Sequence, residues 1–108
     1  MIRELHEWVE RWRTLVGGED AQAAAQRWVG ALQRFHTAYT DEVDGRVVVL
    51  VDVASAQDQD VEAAKERFLL SPPVQRFIVW LKERGLTWRW ATSWEGVVSF
   101  EATVGASA

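Results

Sequence analysis

Hydrophobic positions recur every three or four residues over the first third of the chain. Ile2, Leu5, Val9, Trp12 and Val16 form one apolar seam, widened by Trp8 and Leu15. That spacing predicts an amphipathic helix over residues 2–16. Gly17-Gly18 stops it, because glycine enters the left-handed conformation of a helix C-terminal cap without steric cost. Glu19-Asp20 then supply a capping oxygen and negative charge for a second helix. Ala21, Ala25, Trp28, Leu32, Phe35 and Tyr39 continue the same alternation, which carries this helix from about Ala21 to Tyr39. The short connection predicts an antiparallel helical hairpin over residues 2–40. Two heptads per helix are too few for an autonomous coiled coil. The hairpin is therefore expected to pack on the rest of the domain, on a second copy, or on both.

The pattern changes period after residue 45. Thr40–Gly45 is polar and acidic and reads as a loop, whereas Arg46–Val53 (RVVVLVDV) is β-branched and apolar on both faces apart from Asp52. Such a strand is expected to be central and covered. Asp58 or Asp60 can cap a third helix running to about Leu70, with Val61, Ala64, Phe68 and Leu69 on its apolar side. Ser71-Pro72-Pro73 breaks that helix and begins a fourth, since proline suits the first helical position. The fourth buries Val74, Phe77, Ile78 and Leu81 and ends at Gly85. Two alternating strands close the chain. Leu86, Trp88, Trp90 and Thr92 share one face of the first and Val98, Phe100, Ala102 and Val104 one face of the second, with Ser93–Gly96 as the hairpin loop.

The expected fold is α+β in the order α-α-β-α-α-β-β. It has a three-stranded sheet with four helices mainly on one face, in a single domain over residues 1–108, whose 46–104 part is a β-α-α-β-β unit. The direction of the first strand relative to the second depends on the Ser71 break. Two antiparallel helices return the chain for an antiparallel pair, and one kinked helix gives a parallel crossover.

Charge and cysteine content narrow the function. Twelve basic and sixteen acidic residues leave a net charge of −4, without the basic footprint of a nucleic-acid binder. The chain has no cysteine, which removes disulfides, thiolate metal sites and cysteine nucleophiles. The longest unbroken apolar run, Val47–Val51, falls far short of the roughly 20 residues of a membrane span. The charged amphipathic start is unlike a secretion signal, so cytoplasmic residence is expected, with no membrane or nucleic-acid partner.

Tryptophan is the largest departure from average composition, with seven residues. Trp12 and Trp28 lie on helix seams and read as core. Trp94 falls in a hairpin turn, where a core role is geometrically harder and an aromatic is a natural binding anchor. Trp90, Trp88, Arg89 and Trp8 complete the candidate binding set, although Arg89 projects from the face opposite Trp88 and Trp90. Asp52 is a carboxylate inside an apolar strand and must be paired, hydrogen-bonded or placed at an exposed end. With Asp58 and Asp60 it forms a candidate Mg²⁺ site, although the acidic spacing matches no calcium loop. His6 and His36 read as boundary residues. No Gly-x-Ser-x-Gly elbow and no glycine-rich phosphate loop occur.

Three functions fit these residues. The leading one is a small acidic cytosolic interaction protein of regulator, adaptor or inhibitor type. It would act by protein–protein binding, as a homodimer or on another protein, with no cofactor and no catalytic residue. The second is a small-molecule-binding domain with a Trp-lined apolar pocket. The third is a Mg²⁺-dependent enzyme centred on Asp52.

Overall fold

A computed structural model describes residues 20–106 of the chain. The helix expected over residues 2–16, its hairpin partnership and Trp8 lie outside the described residues. Within them the order is α1 (Ala21–Leu32), β1 (Thr37–Val43), β2 (Arg46–Ser55), α2 (Val61–Leu70), α3 (Pro72–Glu83), β3 (Trp88–Thr92) and β4 (Val97–Ala106). The strands form one antiparallel sheet in the order β1-β2-β4-β3.

The α+β class holds, but the sheet has four strands where three were expected, and the described helices number three. The extra strand is β1. Residues expected to end a helix at Tyr39 and then form a loop instead pair with β2, Tyr39 opposite Leu50 and Asp41 opposite Val48. α1 stops at Leu32, and the Gln33 side chain donates to the Ala38 carbonyl at 2.9 Å, tying the helix end to the new strand. The reversal is an Asp44-Gly45 turn with φ of 51° and 75°. Two consecutive positive φ values match the twist of a two-residue hairpin, and Asp-Gly is a strong sequence signal for it. Pairing along β2 outweighed the weak helical periodicity of residues 33–39.

The strand direction follows neither alternative expected at the Ser71 break: two separate helices form there, yet the strands on either side of them run the same way. β2 and β3 run the same way but are not neighbours, because β4 lies between them and is antiparallel to both. The connection through α2 and α3 is therefore a crossover that leaves a gap for the last strand.

Local chemistry explains the helix ends. The Asp20 carboxylate accepts from Ala23 N–H at 2.8 Å and the Asp60 carboxylate from Ala63 N–H at 3.0 Å, satisfying amides that lack helical partners. Ser71 precedes α3 without a side-chain cap bond, since its hydroxyl lies 3.1 Å from His36 Nε2. At the other end of α3, Leu86 N–H donates to Leu81 and Gly85 N–H to Lys82, with Gly85 at φ 67°. This is the Schellman closure that favours glycine.

All three described helices cover one face of the sheet. Val47, Val49 and Val51 of β2 and Phe100, Ala102 and Val104 of β4 meet Trp28, Leu32, Phe68, Val74, Phe77 and Leu81 there. Aromatic rings dominate this core. Trp28 lies 4.9 Å from Phe77, Phe68 lies 5.3 Å from Phe100, and Trp88 lies 4.7 Å from Phe100. The Trp28 indole N–H is buried with no hydrogen-bond partner. That costs about 1–3 kcal/mol, less than the ring gains from burial beside Phe77 and Trp80.

Candidate functional site

The other face of the sheet carries no described helix. Strand alternation brings four elements together on it: Tyr39 and Asp41 from β1; Arg46, Val48, Leu50 and Asp52 from β2; Ser99, Glu101 and Thr103 from β4; and Arg89 from β3. The register sets Asp52 opposite Ser99, Leu50 opposite Glu101 and Val48 opposite Thr103.

Asp52, the carboxylate singled out within an apolar strand, is held by two hydroxyls. Tyr39 Oη and Ser99 Oγ each donate to its Oδ1 at 3.2 Å. Among the described residues no cation reaches it. The Tyr39 phenol is pushed above its usual value of 10.0, first by partial burial and then by the adjacent Asp52 charge and their hydrogen bond. Nearby, Arg89 Nε donates to Glu101 Oε2 at 2.7 Å, with the guanidinium largely exposed and the carboxylate only 11% exposed beneath it. Next to this pair is a shallow hollow of about 190 Å³ lined by Arg46, Val48, Thr87, Trp88, Arg89, Glu101 and Thr103.

The three candidate metal ligands are not brought together. Asp52 takes the two hydroxyls, Asp58 accepts from Ser55 N–H at 3.0 Å, and Asp60 caps α2. Among the described residues no group of three or more His, Asp or Glu side chains could hold a metal ion.

The candidate binding residues separate in the same way. Trp88 and Trp90 sit on the helix side of β3, partly buried against the core and packed on each other at 5.3 Å. Lys65 Nζ lies 5.3 Å from the Trp90 ring. Arg89 points to the open face with Glu101. Trp94, at the β3–β4 turn, is 93% exposed. The turn is closed by Ser93, whose N–H donates to Val97 O at 2.9 Å and whose Oγ accepts from Val97 N–H at 3.1 Å. Ala56 N–H donates to Gly96 O, which sets the β2–α2 loop beside the turn. Asp58 and Asp60 thus share the Trp94 end of the molecule with Glu95.

His36 occupies a separate position at the start of β1. Its ring meets Phe68 edge-on at 5.0 Å, and burial lowers its pKa from 6.5.

Sequence reasoning missed Tyr39, Ser99 and Arg46 as neighbours on one surface. The signal for Ser99 and Arg46 was present in strand alternation, which separates even from odd positions along β2 and β4. Tyr39 required recognising the Asp44-Gly45 hairpin. Among the described residues no helix is long and apolar enough to cross a membrane. No family model, curated protein or solved structure matches this chain.

Proposed function

We propose that this chain is a small, acidic, cytosolic interaction protein that acts by binding other protein surfaces, with no reaction performed on it. The observation that carries this reading is the contrast among the tryptophans. Trp28, Trp80, Trp88 and Trp90 belong to the core or pack against it, whereas Trp94 stands 93% exposed on a closed turn. A turn pinned by three backbone and side-chain hydrogen bonds presents the indole on a rigid support. Large aromatic side chains held this way lose little entropy on binding and anchor interfaces. The neighbouring Glu95, Asp58 and Asp60 favour a partner with a basic rim around its pocket.

The other two readings draw less support. The indoles that would line an apolar pocket are packed against phenylalanines. The carboxylates that would hold Mg²⁺ are engaged separately by hydroxyls and backbone amides.

The test is affinity capture with the wild-type chain, Trp94→Ala and, as a surface control, Phe35→Ala. Phe35 is also exposed but lies in the α1–β1 connection. A protein retained by wild type and by Phe35→Ala, and weakened about thirtyfold or more by Trp94→Ala, supports the reading. Partners retained equally by Trp94→Ala remove Trp94 as the anchor.

A further inference from the structure

Strand register gathers two arginines and two threonines around one hollow. Val48 of β2 lies opposite Thr103 of β4, and Thr103 N–H donates to the Thr87 carbonyl at 3.1 Å. These three residues form a row across the sheet. Arg46 stands two residues before Val48, toward the Asp44-Gly45 turn. Arg89, opposite Glu101, stands two residues after Thr87 and so lies the other way along the sheet. The arginines thus occupy opposite corners, on strands about 10 Å apart, with the threonines between them. All of these residues line the hollow of about 190 Å³. We propose that this hollow binds the phosphoryl group of a phosphate monoester.

The donors are arranged for an anion. Arg89 Nε donates to Glu101 Oε2 at 2.7 Å, with the carboxylate 11% exposed and the arginine side chain 75% exposed. The buried carboxylate holds the guanidinium by one edge, and the η nitrogens keep their N–H donors for a ligand. Arg46 is exposed, and its side chain makes no ion pair or hydrogen bond among the described residues. The Thr87 and Thr103 hydroxyls add neutral donors on the row between the arginines. Val48, 2% exposed, closes the floor, so the ligand needs only the hollow and not the flat sheet around it. Two guanidiniums against one carboxylate leave the lining positive in a chain whose net charge is −4.

Shape and size select the ligand class. The three terminal oxygens of a phosphate monoester point in different directions and can accept from donors on opposite sides, and guanidinium groups match phosphate oxygens in paired hydrogen bonds. A planar carboxylate satisfies one guanidinium and leaves the other corner empty. The hollow is smaller than the roughly 300 Å³ at which pockets for whole organic ligands begin. It therefore takes the phosphoryl group and leaves the rest of the ligand outside. The site is separate from the Trp94 turn and does not depend on it.

The experiment titrates the isotope-labelled full chain with phenyl phosphate to about 10 mM at low salt, following the Arg89 Nε–H signal and the Thr87 and Thr103 amides by NMR. Saturable shifts with a Kd of about 1 mM or below are expected. Arg46→Gln and Arg89→Gln each remove a charge-assisted donor and raise the Kd about tenfold or more. Arg84→Gln, at an exposed arginine just after α3, leaves it unchanged. Benzoate, which carries a carboxylate on the same ring, binds at least about tenfold more weakly. A phosphoserine peptide bound about tenfold tighter than phenyl phosphate identifies a protein-borne phosphate as the source, and one bound no tighter identifies a free small molecule. Where Arg89→Gln loses its native circular dichroism because Glu101 is left unpaired, Arg46→Gln decides alone. The proposal is overturned by the absence of shifts at about 10 mM, by shifts that Arg46→Gln leaves as they were, or by benzoate bound as tightly as phenyl phosphate. None of these results touches the Trp94 capture experiment.

Discussion

Gly105 of β4 lies directly against Ala21, the first residue of α1. A side-chain carbon at position 105 would stand 2.7 Å from Ala21 Cβ, and the backbone there has φ of 155°. Gly105 pairs with Val47 beside an irregularity in the β2–β4 ladder, so the first turn of the helix rests on the end of the sheet. Gly105→Ala forces two rigid backbones apart and is expected to lower stability by about 1–3 kcal/mol. Urea unfolding measures it. Ala21→Gly in the same chain should recover part of the loss by removing the methyl group that is struck. An unchanged midpoint for Gly105→Ala would contradict the close approach.

The aromatic core and the exposed turn should respond oppositely to truncation. Phe77 and Phe100 are fully buried, and replacing either with alanine is expected to cost about 3–5 kcal/mol. Trp94→Ala should stay within about 0.5 kcal/mol of wild type, because nothing packs on its ring. Denaturation midpoints of the three variants give the comparison. A large loss for Trp94→Ala would mean that its indole supports the fold.

Tyr39 offers a direct probe of the open sheet face, since it is the chain's single tyrosine. Partial burial and the Asp52 carboxylate raise its pKa above 10.0. Asp52→Asn removes the negative charge, so the phenol should ionise at a lower pH than in wild type. Tyrosinate absorbance followed through the alkaline range reads the shift without interference from another phenol. Identical titrations of wild type and variant would show that the two groups are not in contact.

His36 makes stability depend on mildly acidic pH. Burial lowers its folded pKa below 6.5, so the unfolded chain takes up the proton first as pH falls. The contribution is fully present above pH 6.5 and is lost as pH drops from there through the folded value. Replacing His36 by Gln keeps a polar group near Ser71 and removes the titration. The difference in unfolding midpoint between wild type and His36→Gln should therefore narrow or reverse from pH 7.5 toward about pH 5. A constant difference across that range would remove His36 as the source.

Much of the architecture was legible from local chemistry. β2 announced itself by its β-branched run. The helix breaks at Ser71-Pro72 and Gly85 and the turn at Ser93–Gly96 stand where their residue types place them, because capping and turn geometry are set within four or five residues. β1 was misread because residues 33–39 carry a weak helical period that continues the seam of α1. Only the Asp44-Gly45 pair betrayed the hairpin. The four-stranded order with β4 between β2 and β3 has no local signature at all, since it depends on which edges meet after the helices have packed.

The candidate site divides along the same line. The amino-acid sequence by itself determined that Asp52 interrupts an apolar strand, that Trp94 sits in a turn, and that alternate side chains of each strand part to opposite faces, because the two-residue period of a strand is a property of the backbone. Only the tertiary structure decided that Tyr39 and Ser99, 13 and 47 residues away, deliver the hydroxyls that hold Asp52. It also decided that the Trp88 and Trp90 rings turn inward while Arg89 joins Glu101 outside. Those outcomes follow from strand register, and register is chosen by the burial of the whole valine and phenylalanine core at once. A one-residue slip would have exchanged the two faces of the sheet and exposed that core to water.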